Sequence, residues 1–307
     1  MGGLFIDTFF ILSGFLITSL LLRDREKEHF YSNFYWKRAL RILPALLVYL
    51  VMVWGLIPGS HGYVLLCLLF LANCDDTFHY ADAGPAWSLS IEEQFYLLWP
   101  QVVRRVKVRH LYAICLTVIL LSAGLRTCML TFAGHAKIRD TYYRLDGLAL
   151  GALLACEWMT QGEGLTRTVR RCLRALHSRT LLYVLVPYEV LALFFVHNSR
   201  FQGSLLLSTN LLSYRVLRYI VRNPGVPRLA FFRWMPLMFA GRISYGIYLY
   251  HTIVIDIFDR EFPRAYFSYS AFFVRALAVT ASTLLVSTAS YYLMERPIMS
   301  LRKHLMR

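Results

Sequence analysis

Three short stretches set chemically capable side chains inside apolar sequence. In AWSLSIEEQFYLLWP, residues 86 to 100, Glu92 and Glu93 are adjacent. A charged side chain at the centre of a bilayer helix costs about 2.5 to 3.5 kcal/mol, so two neighbours need a reason. Ser88, Glu92, Tyr96 and Trp99 recur at helical spacing and make one polar, aromatic stripe suited to a hydroxyl-rich, sugar-like ligand. Tyr and Trp are also ordinary membrane-interface residues, so anchoring is an equal reading for Tyr96 and Trp99. Ser90 with Glu93 three residues on is a capping-box pattern and predicts a helix start near residue 91 with both carboxylates in its first turn, which accounts well for one glutamate and less well for two, since only one is the capping partner. In NFYWKRALRILP, Arg38 and Arg41 share a face at i, i+3, and two guanidinium groups on one face suit a phosphorylated donor as well as they suit a membrane anchor. In AGRISYGIYLYHTIVIDIF, Ser244, Tyr248 and His251 share a face. His251 falls about 13 Å beyond Arg242, near the bilayer midplane, which makes it a site candidate by default. A neutral histidine bonded to a tyrosine of a neighbouring helix is the competing reading. Asp7 in the first apolar run, Asp146 in YYRLDGLALG and Glu295 in YYLMERP are weaker candidates, Asp146 being close enough in sequence to Arg139 or Arg144 to pair with either.

The elements that position these groups are membrane helices. The 307 residues are 57% hydrophobic and 17% charged, against roughly 25% charged in soluble domains. Mean hydropathy is +0.48. The net charge of +15 would suggest a nucleic-acid partner in a soluble protein. Here the positives cluster between apolar runs, at 23–25, 37–41, 104–109, 167–179, 215–233 and 296–307, which are cytoplasmic loops by the positive-inside rule. The six cysteines form no CxxC or Cys/His pattern, so no metal or dithiol site is expected, and a Cys67–Cys74 bridge has little support. No signal peptide is recognisable, because the first apolar run lacks a basic leader and is long enough to span.

Apolar runs at 4–22, 42–57, 88–103, 111–131, 145–159, 181–197, 204–221, 242–259 and 270–294 predict an all-α polytopic transmembrane bundle of about nine spans, as a single domain over 1–307. Segment 63–73 is too short to cross and is expected to be re-entrant or interfacial. The acidic loop after it is expected outside, the C-terminus inside, and 161–180 is long enough for an amphipathic helix in a cytoplasmic loop.

Taken together, IDTFFILSGFLI, KRALRILPAL, LLFLAN, WSLSIEEQFYLLWP, RLDGLALG, GRISYGIYLYHTIV and the terminal ERP resemble, in order and over essentially the whole chain, the acyltransferase type 3 family of integral-membrane O-acyltransferases. The resemblance implies transfer of an acyl group, commonly acetyl, from cytoplasmic acyl-CoA to a hydroxyl of a cell-envelope glycan or related molecule, at the plasma (inner) membrane. Acyl-CoA is then a co-substrate, with no bound cofactor and no nucleic acid involved. Arg38 and Arg41 match the family's functional arginines, and Trp87, Glu92, Glu93 and Tyr96 match its WSLSxEEQFY motif. Catalytic candidates are therefore Glu92, Glu93, Tyr96 and His251, donor-binding candidates Arg38 and Arg41, and acceptor-binding or supporting candidates Trp87, Ser88, Asp146 and Tyr248. The family's first span carries an arginine and, eleven residues later, a histidine assigned as base. MGGLFIDTFF aligns with the start of the second span, so neither is expected within these residues, and His251, from a different motif, does not inherit that role by alignment. Two other classes stay open: a transporter-like protein with a polar path, and a catalytically impaired or non-catalytic membrane protein.

The expected topology puts Cys74, in the acidic loop, outside and Cys172, in the basic loop, inside. A membrane-impermeant maleimide should label Cys74 in intact cells and Cys172 only after permeabilisation; labelling of both from one side overturns the orientation.

Overall fold

A computed structural model describes residues 2–74, 84–133, 137–162, 164–192, 199–262 and 269–301. Most of the acidic loop (75–83), the end of the predicted 181–197 span and the last six residues of the basic C-terminus lie outside the described residues.

The chain is all-α. In order come α1 (Gly2–Asp24), α2 (Phe30–Leu56), α3 (His61–Leu68), α4 (Ala86–Arg105) and α5 (Val108–Cys128), which continues into a π-helical turn at Met129–Ala133. A 3-10 turn (Thr141–Tyr143) leads into α6 (Leu145–Thr160), followed by α7 (Arg167–Leu176), α8 (Arg179–Ala192) and α9 (Ser199–Arg222). A second 3-10 segment (Pro227–Arg233) precedes α10 (Met235–Glu261), α11 (Tyr269–Ser290), a π-helical turn at Tyr291–Glu295 and α12 (Arg296–Ser300). No strand occurs among the described residues.

Each of the nine predicted spans meets a helix, and α3, eight residues long, is too short to cross. Four stretches are long and apolar enough to cross on length and composition alone: Phe5–Asp24, Phe30–Leu56, Val108–Ala133 and Ser270–Ser300. The other five fall short for physical reasons. The described α6 and α8 have 16 and 14 residues, while α4, α9 and α10 carry charges and hydroxyls along their length.

The helices divide into two compact units, Met1–Phe30 with Ser88–Val226, and Tyr31–Trp87 with Pro227–Arg307. In the first, α6 is the central element, with every residue from Asp146 to Glu157 buried. It lies against α1 at backbone contact, because Gly14 faces the Leu148 carbonyl and Gly151 faces the Ile11 carbonyl with no room for a methyl at either. Small residues are how membrane helices come this close. The expected amphipathic helix is α7: Leu165, Val169 and Leu173 face inward, and the Thr166 hydroxyl caps it by accepting from the Val169 N–H at 3.4 Å.

In the second unit α2 and α10 run parallel, held by side chains of α10 that donate to backbone carbonyls of α2. Tyr245 donates to Ile42 at 3.1 Å, Tyr250 to Ala45 at 3.4 Å and Arg260 to Leu56 at 2.7 Å. Two of those carbonyls flank Pro44, which has no N–H to give and weakens the helical ladder there. Gly246 brings α10 close to Ser287 of α11.

Gly14→Ala and Gly151→Ala should each lower the thermal unfolding temperature of the purified protein, consistent with the roughly 1 to 3 kcal/mol typical of an overpacked contact. Gly124→Ala, where a methyl meets nothing within 4 Å, should not. Equal behaviour of the three variants in a melting experiment would contradict the close contact.

Candidate active-site elements

The helix carrying the two glutamates begins earlier than the capping box predicts. α4 starts at Ala86, directly after Pro85, so Ser90 is not a cap and both carboxylates lie in the second turn. Helical structure therefore does reach back to Ser88, and the stripe forms: Ser88, Glu92, Tyr96 and Trp99 are all buried, whereas Glu93 is half-buried. Two members of the stripe are fixed by α1. Ser13 and Tyr96 share a hydrogen bond between their hydroxyls, and the Trp99 indole N–H donates to Thr18 Oγ1 at 2.8 Å. Tyr96 and Trp99 are thus bundle-facing rather than interfacial anchors. Gln94 accepts a hydrogen bond from Thr141, tying α4 to the turn before α6. Trp87 is half-buried at the first turn of α4.

Asp146 pairs with neither nearby arginine. Its carboxylate takes two bonds from Arg126 of α5, Nη1 to Oδ1 at 3.2 Å and Nη2 to Oδ2 at 2.8 Å, and a third from Asn210 Nδ2 of α9 at 3.1 Å. Arg126 also donates to the Tyr143 carbonyl. Arg144 instead reaches Asp7 of α1 at 2.8 Å and lies over the Phe10 ring at 5.5 Å. Every member of the cluster is buried, and Arg126 and Asp146 are 0% exposed. Removing one partner of such a pair typically costs about 3 to 5 kcal/mol, because the survivor is left as an unpaired buried charge. The simplest account of Asp146 is therefore architectural: it binds α5, α6 and α9 together.

A second carboxylate closes the other end of α6. Glu157 accepts from Tyr214 at 2.5 Å and pairs with Arg218 at 3.2 Å, Arg222 at 3.3 Å and His177 at 3.3 Å.

In the other unit, the parallel course of α2 and α10 fixes the relation of the guanidinium pair to the histidine. Tyr250 meets Ala45, so His251 stands beside about residue 46 of α2, on the order of 10 Å along the axis from Arg38 and Arg41. Arg38 is half-buried and Arg41 exposed. Arg242, three residues before Tyr245, is a third exposed guanidinium near that level. His251 does not bond to a neighbouring helix's tyrosine. Its Nδ1 lies 2.7 Å from the Tyr248 carbonyl of its own helix. A carbonyl only accepts, so Nδ1 carries the proton and, in the neutral ring, Nε2 keeps its lone pair. Tyr248 is held in turn by its hydroxyl, which donates to the Pro85 carbonyl at 3.0 Å.

Glu295, a minor candidate in the sequence, is buried at the end of a π-helical turn. It accepts from Ser290 Oγ at 2.9 Å, that hydroxyl meets Tyr250 Oη at 2.9 Å, and the Arg41 charge acts on the same carboxylate. π-Helical turns occur often at functional sites.

Sequence reasoning did not single out Arg126, Asn210, Glu157 or Arg242 as site residues. Arg126 had a usable signal, a charge inside the apolar run LLSAGLRTCML. Among the described residues no group of His, Cys, Asp and Glu is arranged to hold a metal ion, and no disulfide joins Cys67 to Cys74.

Residues 1–292 match the family described as an acyltransferase domain. The chain is 28% identical to the putative peptidoglycan O-acetyltransferase YrhL of Bacillus subtilis (strain 168), over 97% of this chain and 50% of that protein. It is 27% identical to the O-acetyltransferase OatA of Staphylococcus aureus (strain NCTC 8325 / PS 47), over 97% of this chain and 52% of that protein. A putative O-acetyltransferase of Staphylococcus aureus (strain COL) is 25% identical, over 96% of this chain and 52% of that protein. The chain thus spans about half the length of the curated relatives it matches. No solved structure matches. With a match that runs from α1 to the end of α11 and into the π-helical turn that follows it, this multi-pass membrane chain belongs to the acyltransferase-domain family.

Proposed function

We propose that this domain transfers an acyl group, acetyl in the simplest case, from a cytoplasmic coenzyme A thioester to a hydroxyl of peptidoglycan or a related envelope glycan, in the plasma membrane with its basic loops and C-terminus inside. The observation that carries the reading is the parallel pairing of α2 and α10, which keeps Arg38, Arg41 and Arg242 near one level and His251 on the order of 10 Å further along the same helix pair. Guanidinium groups bind phosphate through paired, charge-assisted hydrogen bonds. A donor anchored there by its phosphates would extend its thioester toward the imidazole.

In this scheme His251 Nε2 accepts a proton, because Nδ1 is already committed to the Tyr248 carbonyl. The acceptor hydroxyl must come within about 3 Å of the accepting nitrogen, directly or through one water. As the proton leaves, the hydroxyl oxygen attacks the thioester carbonyl, the C–S bond breaks and the thiol departs protonated. Tyr248, tied to Pro85, orients the imidazole. Within the first unit taken by itself, the buried stripe of α4, with Ser88 and Glu92 on it and Tyr96 and Trp99 held by α1, is a surface suited to sugar hydroxyls. Glu93, half-buried, is the more accessible carboxylate of the pair. The names of the relatives, which speak of peptidoglycan and of O-acetyl transfer, support an acetyl group as the cargo and an envelope glycan as the acceptor.

In membranes containing the protein, Arg38→Ala and Arg41→Ala should raise the apparent KM for acetyl-CoA by about tenfold or more, with less effect on kcat, as expected for lost ground-state binding. Unchanged donor affinity in both variants removes the arginines from the phosphate role.

His251→Gln, which keeps a polar side chain of similar reach, should lower kcat by about a hundredfold or more while donor binding persists, the range typical of a lost general base. Turnover at the wild-type rate assigns proton removal to another group.

A further inference from the structure

The entry into α10 is built unlike a water-facing loop. No side chain is buried in the 3-10 segment Pro227–Arg233. Trp234 then forms the N-cap of α10, its N–H bonded to the Phe231 carbonyl at 3.1 Å and its carbonyl accepting from Met238 at 3.0 Å. Phe231, Phe232, Trp234 and Met235 leave between 51% and 79% of their surfaces open. They are not splayed at random: Phe231 stacks on Trp234 at 6.2 Å and meets Phe232 edge-on at 6.0 Å. At three residues per turn, Arg228 and Phe231 fall on one line with Trp234 just beyond them.

Covering large apolar side chains is favourable in proportion to the area removed from water, so an ordered cluster of four would not be left in water. The chemistry around the cluster says what covers it. Arg228 and Arg233 bracket Phe231 and Phe232, Trp234 follows directly, and no acidic residue occurs between Glu189 and Asp256, so the segment attracts anions. The cluster also runs without a break into a helix of 27 residues, about 40 Å long. The hydrocarbon layer is about 30 Å thick and the whole bilayer about 40 to 45 Å, so the first turns of α10 extend into the headgroup layer. Aromatic rings at that level are half in hydrocarbon and half among headgroups, and arginines there meet phosphate.

We infer that residues 227–235 are an in-plane anchor that seats Phe231, Phe232 and Trp234 in the headgroup–acyl boundary of the surrounding phospholipids, with Arg228 and Arg233 on lipid phosphates. The anchor fixes the height of α10 in the membrane, and with it that of Tyr245, Tyr248 and His251. It stands whether or not the acyl-transfer reading holds.

The protein in phospholipid nanodiscs provides the test. The fluorescence of Trp234 is isolated as the difference between wild type and Trp234→Phe. In nanodiscs whose acyl chains are brominated near the headgroup this component should lose at least half its intensity, and aqueous iodide should remove little of it. Quenching by iodide without quenching by bromolipid makes the segment a solvated loop and overturns the proposal. Quenching by neither places another protein surface over it and overturns it equally. Phe232→Trp in the otherwise wild-type chain, read as its difference from wild type, supplies a second reporter, expected to behave in the same way, should Trp234→Phe fail to fold.

Discussion

Asp146 is a negative charge with no surface open to solvent, inside a helix that is buried from that residue to Glu157. In hydrocarbon such a group has to be answered within the protein. Three elements supply the answer: Arg126 from α5, Asn210 from α9 and, next door, the Arg144–Asp7 pair that brings in α1. The pairing saturates much of the available geometry, since a guanidinium and a carboxylate meet here through two parallel bonds. Glu157 repeats the arrangement at the far end of α6, this time with α9 and the end of α7. α6 is thus clamped at both ends by charge and along its middle by the backbone contact that Gly14 and Gly151 permit. A helix of 16 residues, about 24 Å long, has too little length to be held by lipid alone. Its neighbours hold it instead.

The unit containing α2 and α10 solves the same problem without ion pairs at its centre. Tyrosine hydroxyls reach across to the backbone carbonyls of Ile42 and Ala45, on either side of Pro44, so the two helices are joined by side chain to main chain. Tyr250 does double service, since its hydroxyl also meets Ser290, which in turn donates to Glu295. Each bond of this kind contributes modestly, about 0.5 to 1.5 kcal/mol. Their larger effect is on register. Together they leave α2 and α10 little freedom to slide, and the spacing between arginines and imidazole depends on that register.

Much of this architecture was legible beforehand. Each of the nine apolar runs meets a helix among the described residues, the helix in the short run at 63–73 has too few residues to cross, and the amphipathic helix lies in the loop where basic and apolar residues alternate at helical spacing. Hydropathy and charge along the chain are local quantities, and these features depend on little else. The stripe on α4 was also readable, because spacings of three and four mean one face in any helix. Partners were not. Asp146 bonds Arg126, twenty residues back across a turn, in preference to Arg144 two residues away, because Arg144 caps α6 and points to α1. No sequence pattern encodes that choice. The start of α4 was misplaced for a related reason: Ser90 and Glu93 have the right types for a cap, but the chain after Pro85 is already helical at Ala86. Glu295 looked like a terminal salt-bridge residue because a π-helical turn, which rotates it inward, leaves no mark on composition.

The parallel course of α2 and α10 has one more consequence, which lies in the backbone rather than in any side chain. Ile42 is twelve residues into α2 and Tyr245 ten into α10, so the two helices begin within about 3 Å of the same level. Each aligned stack of peptide dipoles is equivalent to roughly half a positive charge at its beginning and half a negative charge at its end. The two macrodipoles therefore add, giving about one positive charge at the start of this helix pair, about two to three turns before Arg38, Arg41 and Arg242, and about one negative charge at its end. That polarity survives any mutation that leaves the helices intact.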